Sequence, residues 1–224
     1  MSRLTRLVLP LAALGAAVYV RGVYRYRDPI RIPPADAGAV LSPADGLVSF
    51  VRRIEGGEVR VETLDAPLNI RDLTGTAVSE GWLIGLLVGP LDAHYVYAPV
   101  GGRAGVTHME SRRNVPLGGA ATVASLLGYP ADLLGTSGVA ENERHTTTLD
   151  GGVSVTLVAG AHGLKATSYL RQGDEARAGH KLAFLEEGGL VLLTLPANAT
   201  PQVSVSDRVT GAETVVGRVE GASV

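Results

Sequence analysis

The chain has 224 residues, with 20 Lys and Arg against 22 Asp and Glu and a net charge of −2. That length suits one globular domain with a tail, on a prior of ~150 residues per domain. It contains no cysteine, which excludes disulfides, thiolate-ligated zinc and a thiol nucleophile. The small total hides an asymmetry. Residues 1–27 carry Arg3, Arg6, Arg21, Arg25 and Arg27 and no acid, a local charge of +5; the remainder holds 15 basic and 22 acidic groups, a charge of −7. An acidic body argues against nucleic-acid binding, and a basic tail suits an anionic membrane surface.

The first element is an uncharged run of 14 residues, 7–20, reading LVLPLAALGAAVYV. As a helix it spans ~21 Å, short of the ~30 Å hydrocarbon core of a bilayer. Arg6 and Arg21 can snorkel at its ends, and Tyr19, Tyr24 and Tyr26 suit the interface. A membrane anchor, spanning or re-entrant, is the preferred reading; a cleaved signal peptide and a buried domain helix are the alternatives. The expected division is an anchor over residues 1–28 and a domain over residues 29–224.

Pro29, Pro33 and Pro34 then start an extended connector. Residues 39–54 read as strand, turn, strand, with Pro43-Ala-Asp-Gly46 as the turn. Residues 58–63 alternate apolar and charged, as a half-buried strand does, and 82–88 form a continuous apolar run expected to be a fully buried strand. Further strands are expected over 95–99 and 104–109, and a short helix over 120–127. Strands over 146–149, 153–159, 182–185, 190–195 and 202–205 complete a mainly β, α+β pattern. The 29 glycines and 12 prolines fit short strands joined by tight turns.

Few residues stand out for chemistry. Asp45 beside Gly46 is good β-turn chemistry before it is anything else. Asp92 and His94 would share one face of a strand and make a minimal metal pair. No third ligand has an obvious spacing, so no metal site is expected. On its own, His94 reads more readily as a satisfied core-edge histidine than as a functional one. His162 lies in a glycine-flanked segment, while His108, His145 and His180 are expected at the surface. Ser137, Ser204 and Ser206 are weak nucleophile candidates, the last two alternating with valines as exposed strand positions. Val88-Gly-Pro90 and Gly101-Gly102 open no convincing helix and are not phosphate loops.

Six blocks occur in order: Tyr24-Arg-Tyr-Arg-Asp-Pro29, Leu41-Ser-Pro-Ala-Asp-Gly46, Asn69-Ile-Arg-Asp-Leu-Thr-Gly75, Leu91-Asp-Ala-His-Tyr-Val-Tyr-Ala-Pro-Val-Gly-Gly102, Glu141-Asn-Glu-Arg144 and Asp207-Arg-Val-Thr-Gly211 running on to Gly217. Together they resemble the short, membrane-anchored phosphatidylserine decarboxylases, over most of the chain from about Tyr24 to Val219. The resemblance implies a strand-rich fold with barrel-sandwich elements. The last block resembles the hairpin of biotinyl and lipoyl carriers, but it holds no lysine and so is no carrier.

In that family an aspartate, a histidine and a serine carry out self-cleavage, and the serine becomes a pyruvoyl cofactor. The resemblance places these roles at Asp45, Tyr97 and Gly189, and a decarboxylation histidine at His94. Gly189 stands in Gly188-Gly189-Leu190, where the family has Gly-Ser-Thr. Glycine has no hydroxyl, and a phenol with a reference pKa of ~10 is a poor general base at neutral pH. The base and the nucleophile of one proton transfer are thus both replaced, while Asp45 and His94 remain. The expectation is a family homologue without pyruvoyl or other cofactor, acting in phospholipid metabolism at the membrane as a lipid-binding or scaffolding protein. Its expected partners are a phospholipid membrane and a phospholipid head group, the latter met by Asp92 and His162, with a homodimer as a further assembly. Its body would face the cytoplasm. The alternative is a phospholipid-metabolising enzyme that uses Asp45 and His94 by a non-standard route.

Overall fold

The computed structural model describes residues 3–36, 38–111, 113–117, 119, 123–124, 129 and 132–220, with side chains described from residue 9 onward. Helix α1 (Arg3–Gly22) leads into a 3-10 turn, Tyr24–Tyr26. The first half of the body holds β1 (Ala39–Leu41), β2 (Gly46–Ile54), β3 (Glu58–Val59), β4 (Leu68–Asn69), α2 (Ile70–Thr74), β5 (Gly81–Val88), β6 (Tyr95–Tyr97), β7 (Gly102–Arg103) and β8 (Gly105–Met109). The second half holds α3 (Ser137–Glu141), β9 (Arg144–Thr148), β10 (Ser154–Val158), β11 (Ala166–Ser168), β12 (Glu175–Ala176), β13 (Lys181–Leu185), β14 (Gly189–Pro196), β15 (Ala199–Pro201), β16 (Arg208–Val209) and β17 (Val215–Val219).

The main sheet has seven strands in the order β16-β2-β5-β14-β10-β9-β8, every neighbouring pair antiparallel. Its centre explains the continuous apolar runs. Alternate residues of β5 and β14 enter cores on opposite faces, Ile84, Leu86, Val191 and Leu193 on one side and Leu83, Leu87, Leu190 and Leu192 on the other. The first face is covered by the sheets β1-β17-β15 and β11-β13-β6, through residues such as Val40, Val96, Leu182 and Val216. The second is covered by Ile70 and Leu73 of α2, by Leu133 and Leu134, and by Val139 of α3. Each buried leucine contributes about 1.5–3 kcal/mol through removal from water. At Gly85 the sheet has no side chain, and the Phe50 ring fills that space: a Cβ there would lie 2.3 Å from it.

The strand-rich α+β architecture is the expected one, and the sheets do not close into a barrel among the described residues. Three local expectations change. Residues 202–205 are not a strand; the ladder ends at Pro201 of β15, and a turn follows in which Asp207 accepts from Ser204 N–H. The strand expected over 58–63 is cut to two residues, because Leu64 N–H turns back to the Val61 carbonyl. The strands of the final block diverge, β16 to β2 and β17 to β1 and β15, so they are not paired as a hairpin. The helix expected over 120–127 lies mostly outside the described residues.

Helix α1 meets the body through its C-terminal end, where Arg21 reaches Glu187. Residues 9–19 are exposed, which sets aside a buried domain helix. No helix among the described residues is long and apolar enough to cross a membrane.

Candidate functional site

Asp45 ends the turn between β1 and β2. Gly46, at φ +154°, lets the chain pass against β5: a Cβ there would lie 2.3 Å from the Leu87 carbonyl oxygen. The Asp45 carboxylate receives Arg31 Nη2 on both oxygens, at 2.7 and 2.6 Å, and the N–H groups of Gly211 at 2.8 Å and Ala93 at 3.4 Å. Arg31 comes from the proline-rich connector and is itself largely buried. The aspartate that the family resemblance marks as a triad acid is therefore the counterion of an arginine in this chain.

Tyr97 lies beside it on β6. Its N–H donates to the Pro43 carbonyl at 2.7 Å, which ties β6 to the Asp45 turn. Its ring sits over Gly211, where a Cβ would come within 2.8 Å. The hydroxyl lies close to Arg31 but has no partner with full hydrogen-bond geometry, contrary to the usual pattern for a buried tyrosine. Burial pushes its pKa up, and the Arg31 guanidinium opposes this only in part. Tyr97 thus stays a neutral phenol and cannot serve as a general base near pH 7.

His94 sits in the turn that follows β5, with 2% exposure. Both ring nitrogens face carbonyl oxygens, Nδ1 that of Leu185 at 2.8 Å and Nε2 that of Gly89 at 3.3 Å. Burial pushes its pKa below the ordinary value, and the two carbonyls oppose this in part. A neutral imidazole has one N–H, which the shorter contact assigns to Nδ1. The ring edge reaches the turn between β13 and β14: a Cβ on Gly188 would lie 3.8 Å from His94 Cε1.

That turn is built for glycine. Gly188 has φ +72°, and a Cβ would come within 2.6 Å of the Val88 carbonyl oxygen. Gly189 has φ +135° and pairs with Val88, with the Val158 carbonyl oxygen 3.3 Å from the Cβ position. L side chains rarely adopt either backbone conformation. Beside the turn is a cavity of about 180 Å³, lined by Val88, Pro90, Leu164, Lys165 and Glu187 among others. A second cavity of about 430 Å³ separates the end of α1 from His94, with Ala17, Val20 and Arg25 on its helix side.

Glu187 borders both cavities. Lys165 Nζ donates to it at 2.8 Å, Arg21 Nη2 lies at 3.4 Å and His162 Nδ1 at 3.6 Å. Lys165 first, then His162 and Arg21, hold its carboxyl below the usual range. Arg25 donates to the Glu186 carbonyl at 2.7 Å. His162 is therefore near the turn, but through Glu187 and at the surface. Asp92 has a different setting: one oxygen accepts from Gly89 N–H at 2.8 Å and the other pairs with Arg208. Residues 91–94 lie outside any strand, with a turn at 91–92, so the expected shared strand face of Asp92 and His94 does not form. His145, expected at the surface, pairs with His108 across β8 and β9 and has a buried, unpartnered Nε2. No cluster among the described residues has the ligands for a metal ion.

Sequence reasoning missed Arg31, Lys165 and Glu187. Two acids directly before Gly188-Gly189 were a usable signal for Glu187; nothing in the local pattern marked the other two.

The geometry shows a buried neutral histidine, a glycine turn and a carboxylate tied to an arginine, all set by one antiparallel scaffold. Comparison with known proteins gives that scaffold its class. The family model described as phosphatidylserine decarboxylase matches residues 20–217, and the chain belongs to this family. Among its relatives is a putative archaetidylserine decarboxylase proenzyme of Methanothermobacter thermautotrophicus, 29% identical over 197 residues, which covers 86% of this chain and 78% of the relative. A protein of the same description from Methanocaldococcus jannaschii is 27% identical, with 87% of each chain covered. A phosphatidylserine decarboxylase proenzyme of Erythrobacter litoralis is 27% identical over 94% of this chain and 76% of its own.

Proposed function

We propose that this family member does not cleave itself, forms no pyruvoyl group, and binds phospholipid at a membrane surface as a lipid-binding or scaffolding protein. One observation carries the reading: the position the resemblance assigns to the nucleophile is Gly189. Pyruvoyl forms from a serine, and a residue without a hydroxyl can neither attack the preceding carbonyl nor become a ketone. Without that ketone the electron sink of the family reaction is missing. The neutral Tyr97 phenol supports the same conclusion for the base.

Membrane association is supported by the exposed, apolar α1 and the arginines that follow it. The neighbouring cavities and the Glu187 cluster are the natural place for a head group, with Lys165 and Arg21 facing anionic groups. His162 belongs to that cluster, whereas Asp92 is engaged by Gly89 and Arg208. The alternative use of Asp45 in other acid–base chemistry is disfavoured by its bonds to Arg31 and Gly211.

The test is the intact mass of the purified protein before and after a carbonyl-reactive hydroxylamine. The expected result is one unreactive chain near 23.2 kDa. Two fragments, the smaller blocked by a reactive carbonyl at its N-terminus, would overturn the proposal.

A further inference from the structure

The connector after the tail presents two of the most exposed large apolar side chains in the described residues, Ile30 at 91% and Ile32 at 77% exposure. They flank Arg31, which turns inward to Asp45. In extended chain, residues two apart point the same way, so the inward Arg31 aims both isoleucines outward.

The outward aim is fixed at several points. Asp28 accepts from Lys181 Nζ at 2.5 Å, and Ile32 N–H donates to Glu213 at 3.1 Å. Pro33 packs over Gly179, where a Cβ would lie 2.4 Å from its ring. Pro29, Pro33 and Pro34 hold φ in the extended range. Such a strap has its entropy of ordering already reduced, and what it presents is a short apolar ridge.

Charge and continuity indicate what covers the ridge. Immediately before it the chain carries Arg21, Arg25 and Arg27; of the nearby acids, Asp28 pairs with Lys181, while Asp45 and Glu213 share Arg31. On the same side in sequence lies α1, with Leu9, Leu11, Leu14 and Val18 exposed. Tyr26 is half exposed at the junction and stacks on Phe184 of β13. Apolar side chains bordered by arginines and a tyrosine match the interface of an anionic bilayer.

We propose that Ile30 and Ile32 enter the interfacial layer of an anionic lipid bilayer, so that the body is held on the membrane at the strap as well as by α1. Asp45 acts here as a positioning residue: through Arg31 it sets which way the strap faces. This deepens the membrane reading above, and the two can fail separately.

The absence of cysteine allows single-cysteine labelling of the 224-residue chain. An environment-sensitive fluorophore is placed on Leu14→Cys, Ile30→Cys, Ile32→Cys and, as a control in the exposed loop after β3, Asp65→Cys. Each is mixed with vesicles of phosphatidylcholine and phosphatidylglycerol, with and without quencher-labelled lipid. The proposal expects blue-shifted, lipid-quenched emission at 14, 30 and 32 and no change at 65. It also expects unlabelled Ile30→Asp/Ile32→Asp to lower vesicle partitioning roughly tenfold or more. A response at 14 alone would overturn the strap proposal and leave anchoring by α1 intact. No response at any position would overturn both. A shift at 30 and 32 that depends on protein concentration without lipid would assign the ridge to a second copy and overturn the bilayer proposal.

Discussion

The family resemblance assigns the Asp45 corner and the Gly188–Gly189 turn to one constellation, yet in this chain the two are built in different ways. At the corner the carboxylate has a guanidinium and two backbone N–H groups, and the Tyr97 ring covers Gly211. At the turn two glycines border a cavity, which is also lined by Glu187 with Lys165, Arg21 and His162 around its carboxylate. At the position the resemblance assigns to the base a large aromatic ring fills the space over Gly211, whereas at the position it assigns to the serine a glycine leaves space. The corner is closed by its own hydrogen bonds, while the turn borders an open cavity.

The largest expected effect tests how strictly the turn depends on glycine. Gly188→Ala combines an unfavourable φ with overlap on the Val88 carbonyl and should cost about 2–5 kcal/mol in urea unfolding. A loss below the error of the measurement would show that the turn relaxes freely. Next comes the corner: Arg31→Met leaves Asp45 with backbone donors only and should cost about 1.5–3 kcal/mol. By contrast Glu187→Gln, at a solvent-facing cluster, should cost less than about 1 kcal/mol and lose even that in high salt. Equal costs would erase the contrast between the two regions.

A smaller effect concerns pH. Burial lowers the pKa of His94 and of His145 from the ordinary 6.5, with the neighbouring His108 adding to the shift at His145. The folded chain then holds fewer protons on these rings than the unfolded chain. Stability should fall as pH drops below about 6.5, until the folded rings themselves titrate. His145→Gln should flatten this slope in unfolding midpoints recorded across that range; an unchanged slope would mean the ring titrates normally. The smallest expected effect is none at all. Gly189→Ser/Tyr97→His should leave a single uncut chain by mass, because Arg31 still occupies Asp45 and the backbone at 189 still has positive φ. Cleavage of this double variant would show that only two side chains separate it from a self-processing protein.

Much of the scaffold was legible in the residues. The run at 82–88 announced a fully buried strand, 190–195 announced a further strand, and Pro-Ala-Asp-Gly announced the turn that holds Asp45. What was not legible depends on contacts distant in sequence. Val203 and Val205 alternate with serines, but Pro201 and the turn at Asp207 prevent a strand there. Arg31 is one arginine among prolines until the fold brings Asp45 to it. His94 looks like half of a pair with Asp92, yet the turn sends the aspartate to Arg208 and the imidazole to two carbonyls. Local periodicity contains no information on such partners.

The bonds from Arg21 to Glu187 and from Arg25 to the Glu186 carbonyl have a practical consequence for handling the protein. A shortened version made by cutting away the tail before Tyr24 would also remove Ala16, Ala17, Val20 and Arg21, one wall of the larger cavity and one of the cations on Glu187. Such a truncation is therefore an edit of the site itself, and a ligand lost from the shortened chain would not show that the body never bound it.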